Sequence, residues 1–231
     1  VALSWCSAKA QPKFWLRAVH AFLIAGCLYL LFLTRSRGAI LSFILGFMVV
    51  LLLHRKYVMI FVLLAAGTVS LFVLPQRMTI HLDADGREQS IVERYYLWHR
   101  AWDVIEARPW TGTGINTYAV SHQKYDQTKN WRVQNYYAHN GYLQLAAETG
   151  LPSLILFLAF LIQYFRGALK RSVPSSQDGD ILRFGILAGI LNFLIFAGID
   201  TVLHNPQPVM TFWYLMGLQT AYQRITRISA G

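Results

Sequence analysis

Six apolar blocks, at residues 18–33, 38–53, 57–74, 151–165, 181–199 and 209–222, leave this chain few ways to fold. Each approaches the length that a helix needs to cross a hydrocarbon core, about 20 residues at roughly 1.5 Å apiece. A segment inside lipid must satisfy its own backbone N–H and C=O groups, and a helix does so. The expected fold class is therefore all-α: a polytopic membrane helical bundle with six transmembrane helices in this segment. The composition agrees. Only 14% of residues are charged and 55% are hydrophobic, where a soluble domain carries about a quarter charged residues. A formal charge of +10 would suggest nucleic acid in a soluble protein. In a membrane chain it fits cytoplasmic anchoring residues and a basic outer segment, so membrane lipids and no nucleic acid are the expected partners.

The basic residues set the orientation. Lys9, Lys13 and Arg17 precede the first block, and Arg55 and Lys56 join the second to the third. Arg166, Lys170, Arg171 and Arg183 join the fourth to the fifth, and Arg224 and Arg227 follow the sixth. With all of these in the cytoplasm the path alternates without conflict. The opposite side then receives a turn at 34–37, a long segment at 75–138 and a short loop at 200–207. Three regions result: 1–74 with three transmembrane helices and an outer arginine-containing turn, 75–150 as a large, partly helical outer loop, and 151–231 with three more helices. The sequence opens at Val1 without an initiator methionine or a signal-peptide pattern, so it is expected to be the C-terminal part of a longer chain. Cys6 and Cys27 have no spacing that suggests a disulfide framework or a metal site.

Several outer residues are candidates for chemistry. Arg35 and Arg37 sit in a short outer turn, a side usually kept free of positive charge, and call for an anionic partner. Lipid phosphates reached by snorkelling would also serve. Further on, Ser90-Ile91-Val92-Glu93 has the form of a capping box, and the helix it opens runs to Arg108 before Pro109 breaks it. Ile91, Tyr95, Trp98, Trp102 and Ile105 form a stripe at helical spacing, expected to pack against the membrane or neighbouring helices rather than to serve as a sugar platform. Arg94, Arg100 and Arg108 lie off that stripe. Thr111-Gly112-Thr113-Gly114 is too short of glycines for a nucleotide loop and reads as a tight turn that lets the backbone approach something closely. Residues 121–135 are polar with Tyr125 and Trp131 interspersed, as in a loop over a substrate. A helix starting near His139 would place Leu143, Ala146, Ala147 and Gly150 on one apolar face, with His139, Gln144 and Glu148 between them. An imidazole there can exchange a proton near neutral pH, or can simply cap the helix.

Three of these segments, in this order, resemble the bacterial O-antigen ligase and O-antigen polymerase family of membrane glycosyltransferases. They are Ser36-Arg37-Gly38, Arg94 through Trp110-Thr-Gly-Thr-Gly114, and His139-Asn140-Gly-Tyr-Leu-Gln144 with Glu148-Thr-Gly150 behind it. The family's ligase pattern has a glycine three residues after Gly150, where Ser153 stands here, and this loosens the choice between ligase and polymerase. The resemblance implies a glycan donor linked to undecaprenyl diphosphate. It implies an acceptor sugar hydroxyl, on lipid A-core or another glycan, and a site facing the periplasm from the bacterial inner membrane. O-antigen ligase is the leading reading. Polymerase, protein O-oligosaccharyltransferase and, outside enzymes, a lipid-diphosphate-binding transporter are the alternatives. By the same resemblance His139 is the general base, while Arg37 and Arg94, with Arg35 behind them, hold the diphosphate through bidentate contacts. Asn140, Gly112 and Gly114 are expected to contact substrate. No cofactor and no metal are implied, since Asp83-Ala-Asp85 beside Gly86 reads as a turn. Glu148 carries no catalytic role in this reading.

Overall fold

A computed structural model describes residues 14–34, 36–53, 89–125, 137–169 and 177–228. Among these the regular structure is helical throughout, with no strand, so the all-α class holds. The helices are α1 (Phe14–Leu33), α2 (Arg37–Leu53), α3 (Gln89–Ala107), the short α4 (Tyr118–Ser121), α5 (Gly141–Thr149), α6 (Leu151–Leu169), α7 (Gln177–Ala197) and α8 (Pro206–Ile228). A 3-10 turn, His122–Tyr125, continues α4. The expected third block at 57–74, Arg35, Trp131 and the Asp83–Gly86 turn lie outside the described residues, as does the side chain of Arg37.

Of the expected spans, α6 is long and apolar enough to cross a membrane. Shorter apolar stretches occupy Ala18–Leu33, Gly38–Val49 and Leu182–Ala197. The sixth block differs from expectation: α8 runs beyond it at both ends, and Gln207, Thr211, Gln219, Thr220, Gln223 and Arg224 interrupt its apolar sequence.

The chain divides into two compact units. The first comprises Val1–Leu74, Gly167–Phe196 and Met210–Gly231. Its α2 begins where the Ser36 hydroxyl accepts from the Ala39 N–H at 3.2 Å, an N-cap that makes Arg37 the first helical residue. Gly46 lets α2 approach α7 at Asn192, and Phe193 stacks on Phe212 with ring centroids 4.7 Å apart. Near the end of α8, Gln223 donates to the last carbonyls of α6, 2.9 Å from the oxygen of Ala168.

The second unit comprises Pro75–Arg166 and Ala197–Val209. Its core gathers Ala101, Val104 and Ile105 of α3, Tyr118 of α4, Ala138, and Ala146 and Ala147 of α5, with Leu151 and Leu154 of α6 packed against it. Full burial of a side chain such as Ile105 contributes about 1.5–3 kcal/mol. Tyr118 is wholly buried and its hydroxyl donates to the Leu97 carbonyl at 2.9 Å, which meets the hydrogen-bonding need of a buried phenol. Desolvation there raises its pKa well above the usual value. The face of α3 that packs on this core coincides only in part, at Ile105, with the expected stripe. The buried face carries Leu97, Ala101, Val104 and Ile105, whereas Tyr95 and Trp102 are 63% and 52% exposed. Small side chains on α3 let it approach the two alanines of α5; the larger aromatics would hold the helices apart.

Candidate active site

His139 sits just before α5 rather than at its start. Asn140 is the N-cap, in extended conformation, and its Oδ1 accepts from the N–H groups of Tyr142 and Leu143 at 3.0 and 3.1 Å. The cap satisfies two of the orphan donors of the first turn. His139 itself adopts φ 47°, a left-handed conformation that costs a non-glycine residue about 1–2 kcal/mol. The surroundings hold it there: the Trp98 indole N–H of α3 donates to its carbonyl at 3.4 Å. Its ring Nδ1 lies 3.3 Å from Oδ1 of Asp200, in the short loop between α7 and α8. That carboxylate also accepts from the Thr201 N–H at 2.7 Å, while the Asp200 carbonyl accepts from the Gly141 N–H.

The electrostatics favour an ionised Asp200. Its pKa lies below the ordinary 3.8, first through the hydrogen bond to His139, against a raising effect of burial, and then through the Thr201 N–H and the charges of His139 and Arg94. Arg94, one turn of α3 before Trp98, exerts the smallest of these effects. An anionic partner at Nδ1 favours the tautomer with hydrogen on Nδ1. Both side chains of the pair are about one-third exposed, within reach of a substrate.

Behind the pair lies a fully buried anion. Glu148, 1% exposed, accepts from the backbone N–H groups of Asn116 and Tyr118 at 2.9 and 3.1 Å. It also accepts from Gln144 Nε2 at 3.2 Å and meets Nε2 of His204 at 3.0 Å. Burial alone would raise its pKa, but the bond from His204 and the two backbone donors outweigh it and the value falls below the ordinary 4.5. His139–Asp200 and His204–Glu148 thus tie the 200–204 loop to α5 at two points.

The Thr111–Gly114 turn makes its close approach here, to the C-terminus of α5. Gly112 is buried at φ +64°, and a Cβ on it would stand 2.3 Å from the carbonyl of Glu148. Gly150 answers it at φ +86°, where a Cβ would meet the carbonyl of Trp110 at 2.4 Å. Between them the Thr113 and Gly114 N–H groups donate to the carbonyls of Ala147 and Glu148, the last-turn acceptors a helix leaves unpaired. Gly112→Ala should therefore destabilise the protein by at least about 1–2 kcal/mol from handedness alone, with the clash against backbone added. The check is thermal unfolding with limited proteolysis between Arg108 and Tyr125. An unchanged melting temperature and digestion pattern would mean that the approach is not required.

The site residues anticipated from sequence thus fall as follows. His139 and Asn140 are neighbours in the second unit, with Asn140 engaged as a cap, and Arg94 lies on α3 of the same unit. Gly112 is packed against Glu148, and Gly114 is exposed at φ +110°. Arg37 opens α2 in the first unit. Asp200, His204 and Trp98 were not anticipated as partners. Among the described residues no three His, Cys, Asp or Glu side chains gather into a set able to hold a metal ion.

The family model described as O-antigen ligase matches residues 21–158, more than half of the chain. An exopolysaccharide production protein, ExoQ, of Rhizobium meliloti is 28% identical over 113 residues, covering 46% of this chain and 26% of the relative. A Rickettsia felis protein described as a candidate polysaccharide ligase is 26% identical over 156 residues, covering 60% of this chain and 37% of the relative. The chain thus spans between a quarter and two-fifths of the length of these relatives. No solved structure matches.

Proposed function

The chain belongs to the O-antigen ligase family, and from that premise we propose that it transfers a glycan from undecaprenyl diphosphate to a sugar hydroxyl. The acceptor in this reading is lipid A-core, in the assembly of lipopolysaccharide. The observation that carries the proposal is the His139–Asp200 pair, a base with its orienting anion. His139 Nε2 takes the acceptor proton as the oxygen attacks the anomeric carbon. The bond from that carbon to the diphosphate oxygen breaks as the new glycosidic bond forms. Arg94 and Arg37 stabilise the negative charge on the departing lipid diphosphate, work suited to a planar guanidinium.

The setting in this reading is the bacterial inner membrane, with six spans in this segment and the site facing the periplasm. The exposed apolar surface supports a lipid environment: Phe22 of α1 is 77% exposed and Leu156 of α6 is 70% exposed. Large aliphatic and aromatic side chains left open along helices are stable against acyl chains and unfavourable in water. The name of the Rhizobium relative favours a second reading, in which the acceptor is another glycan chain and the product is a longer polysaccharide.

The test is a transfer assay with the purified full-length protein, undecaprenyl-diphosphate-linked glycan and either lipid A-core or free glycan as acceptor. A product on lipid A-core supports the ligase reading, and a lengthened lipid-linked glycan supports the second. Transfer to neither would reject both. In the same assay Arg37→Lys keeps the charge but loses the fork, and should lose roughly tenfold or more of activity. Near-parental transfer by that variant would show that charge alone suffices at this position.

A further inference from the structure

A cleft of about 600 Å³ lies beside α3, lined by Arg100, Asp103, Glu106, Ala107, Lys124 and Tyr125. At about 100° of rotation per residue, Arg100, Asp103 and Ala107 fall on roughly the opposite side of α3 from Arg94 and Trp98. The cleft is therefore separate from the His139–Asp200 pair. Its floor is a fixed cation. Arg100 donates to the Tyr125 carbonyl, pairs with Asp103 at 3.0 Å and lies over the Tyr96 ring at 5.3 Å. Beyond Glu106, at one edge of the cleft, the surface of α3 turns aromatic. The indole N–H of Trp102, 52% exposed, donates to Glu106 Oε1 at 2.6 Å, and Tyr95 and His99 continue the same exposed band with their rings 4.1 Å apart.

Charge and shape together select a ligand class. The lining has two cations and two carboxylates, so it offers no net charge to a polyanion. A face built to lie on an anionic bilayer carries cations in excess, and the core of a protein interface is depleted of charge. A concave site with interleaved donors and acceptors, and an immobilised indole at its edge, suits a hydroxyl-rich ring. Sugar hydroxyls both donate and accept, and the C–H face of a pyranose packs on an aromatic surface. We propose that this cleft, with Trp102 at its rim, is a second saccharide subsite that holds a neutral sugar unit of the glycan chain away from the reacting bond. The inference rests on the glycan-transfer reading above. The sugar could belong to the donor chain or to the acceptor chain, which present the same chemistry.

The experiment uses the full-length protein in detergent and the host's own surface polysaccharide, cut and sized into single-repeat and multi-repeat fragments. Fragment binding is followed by ligand-observed NMR for the parent, Trp102→Ala, Glu106→Gln and His139→Gln. Multi-repeat fragments should bind the parent and His139→Gln alike, and about tenfold more weakly to Trp102→Ala. Glu106→Gln, which preserves shape, should weaken binding severalfold and controls for altered folding at Trp102. Transfer is then measured with a long donor and short acceptor, and with the reverse. A KM raised by Trp102→Ala in one arm alone identifies which chain occupies the cleft. The inference is overturned if the parent binds no fragment, or if neither variant changes fragment affinity. It is overturned equally if the variants lose only their association with phosphatidylglycerol vesicles, which would mark a membrane face. Failure of the transfer reading is seen separately, as fragment binding that depends on Trp102 in a protein that transfers no glycan.

Discussion

Replacing His139 with glutamine should lower glycan transfer by roughly two to four orders of magnitude, the loss typical of a removed general base. Glutamine has similar reach and can still donate a hydrogen bond to Asp200, but it cannot take up a proton. In the proposed reading the arginines hold the donor, so donor binding should survive. Asp200→Asn is the companion variant. An asparagine keeps the size of the partner 3.3 Å from Nδ1 yet removes the charge that favours hydrogen on that nitrogen and stabilises the imidazolium as it forms. Its transfer should fall by about two orders of magnitude or more, with the protein still folded. In the double variant the losses should combine to far less than their product, since the two side chains act as one unit. Transfer rate and donor binding, measured separately on purified protein, decide the matter. A glutamine variant working near the parental rate would make His139 an orienting residue and send the search for the base elsewhere.

How much of this arrangement could be read in advance depends on the separation of the partners in the chain. The helical class followed from apolar runs that no other regular structure could accommodate in lipid. The Gly112–Gly114 turn was readable as a close approach because glycine at that spacing has a local meaning, but its target, the α5 carbonyls some 34–36 residues on, had none. Likewise Asp200 was placed on the same outer side as His139 by the alternation of basic connectors, yet 61 residues separate them and no local pattern couples them. The α3 stripe coincides only in part with the core-facing side, at Ile105, for a different reason. Large aromatic residues at helical spacing look like the buried face, whereas the close approach of α5 demanded small ones, Ala101 against Ala146 and Ala147. Glu148 was read as a polar residue between apolar ones. Its burial needed donors from three separate segments, the 116–118 backbone, Gln144 and His204, which only the fold brings together.

That convergence gives Glu148 the largest expected effect on stability. Its carboxylate accepts from four groups, about as many as its lone pairs allow. Removal of one partner from a buried hydrogen-bonded pair typically costs about 3–5 kcal/mol, so Glu148→Ala should lower the melting temperature of the full chain by roughly ten degrees. Glu148→Gln should cost less, about 2–4 kcal/mol: one oxygen remains, while its new N–H₂ group faces donors and leaves some of them unmatched. The sign with pH follows from the depressed pKa. The ionised form contributes stability fully above the ordinary 4.5, and that contribution is lost as pH falls from there through the folded value. The parent should therefore lose more stability than Glu148→Gln when the buffer is taken from neutral to below pH 4.5, bringing the two unfolding temperatures together. Because His204 and Asp200 share one loop, loosening the first pair should also disturb the second. Transfer by Glu148→Gln should then fall at the working temperature and recover on cooling, a recovery that His139→Gln cannot show. Equal melting temperatures for Glu148→Gln and the parent at neutral pH would remove Glu148 from its structural role.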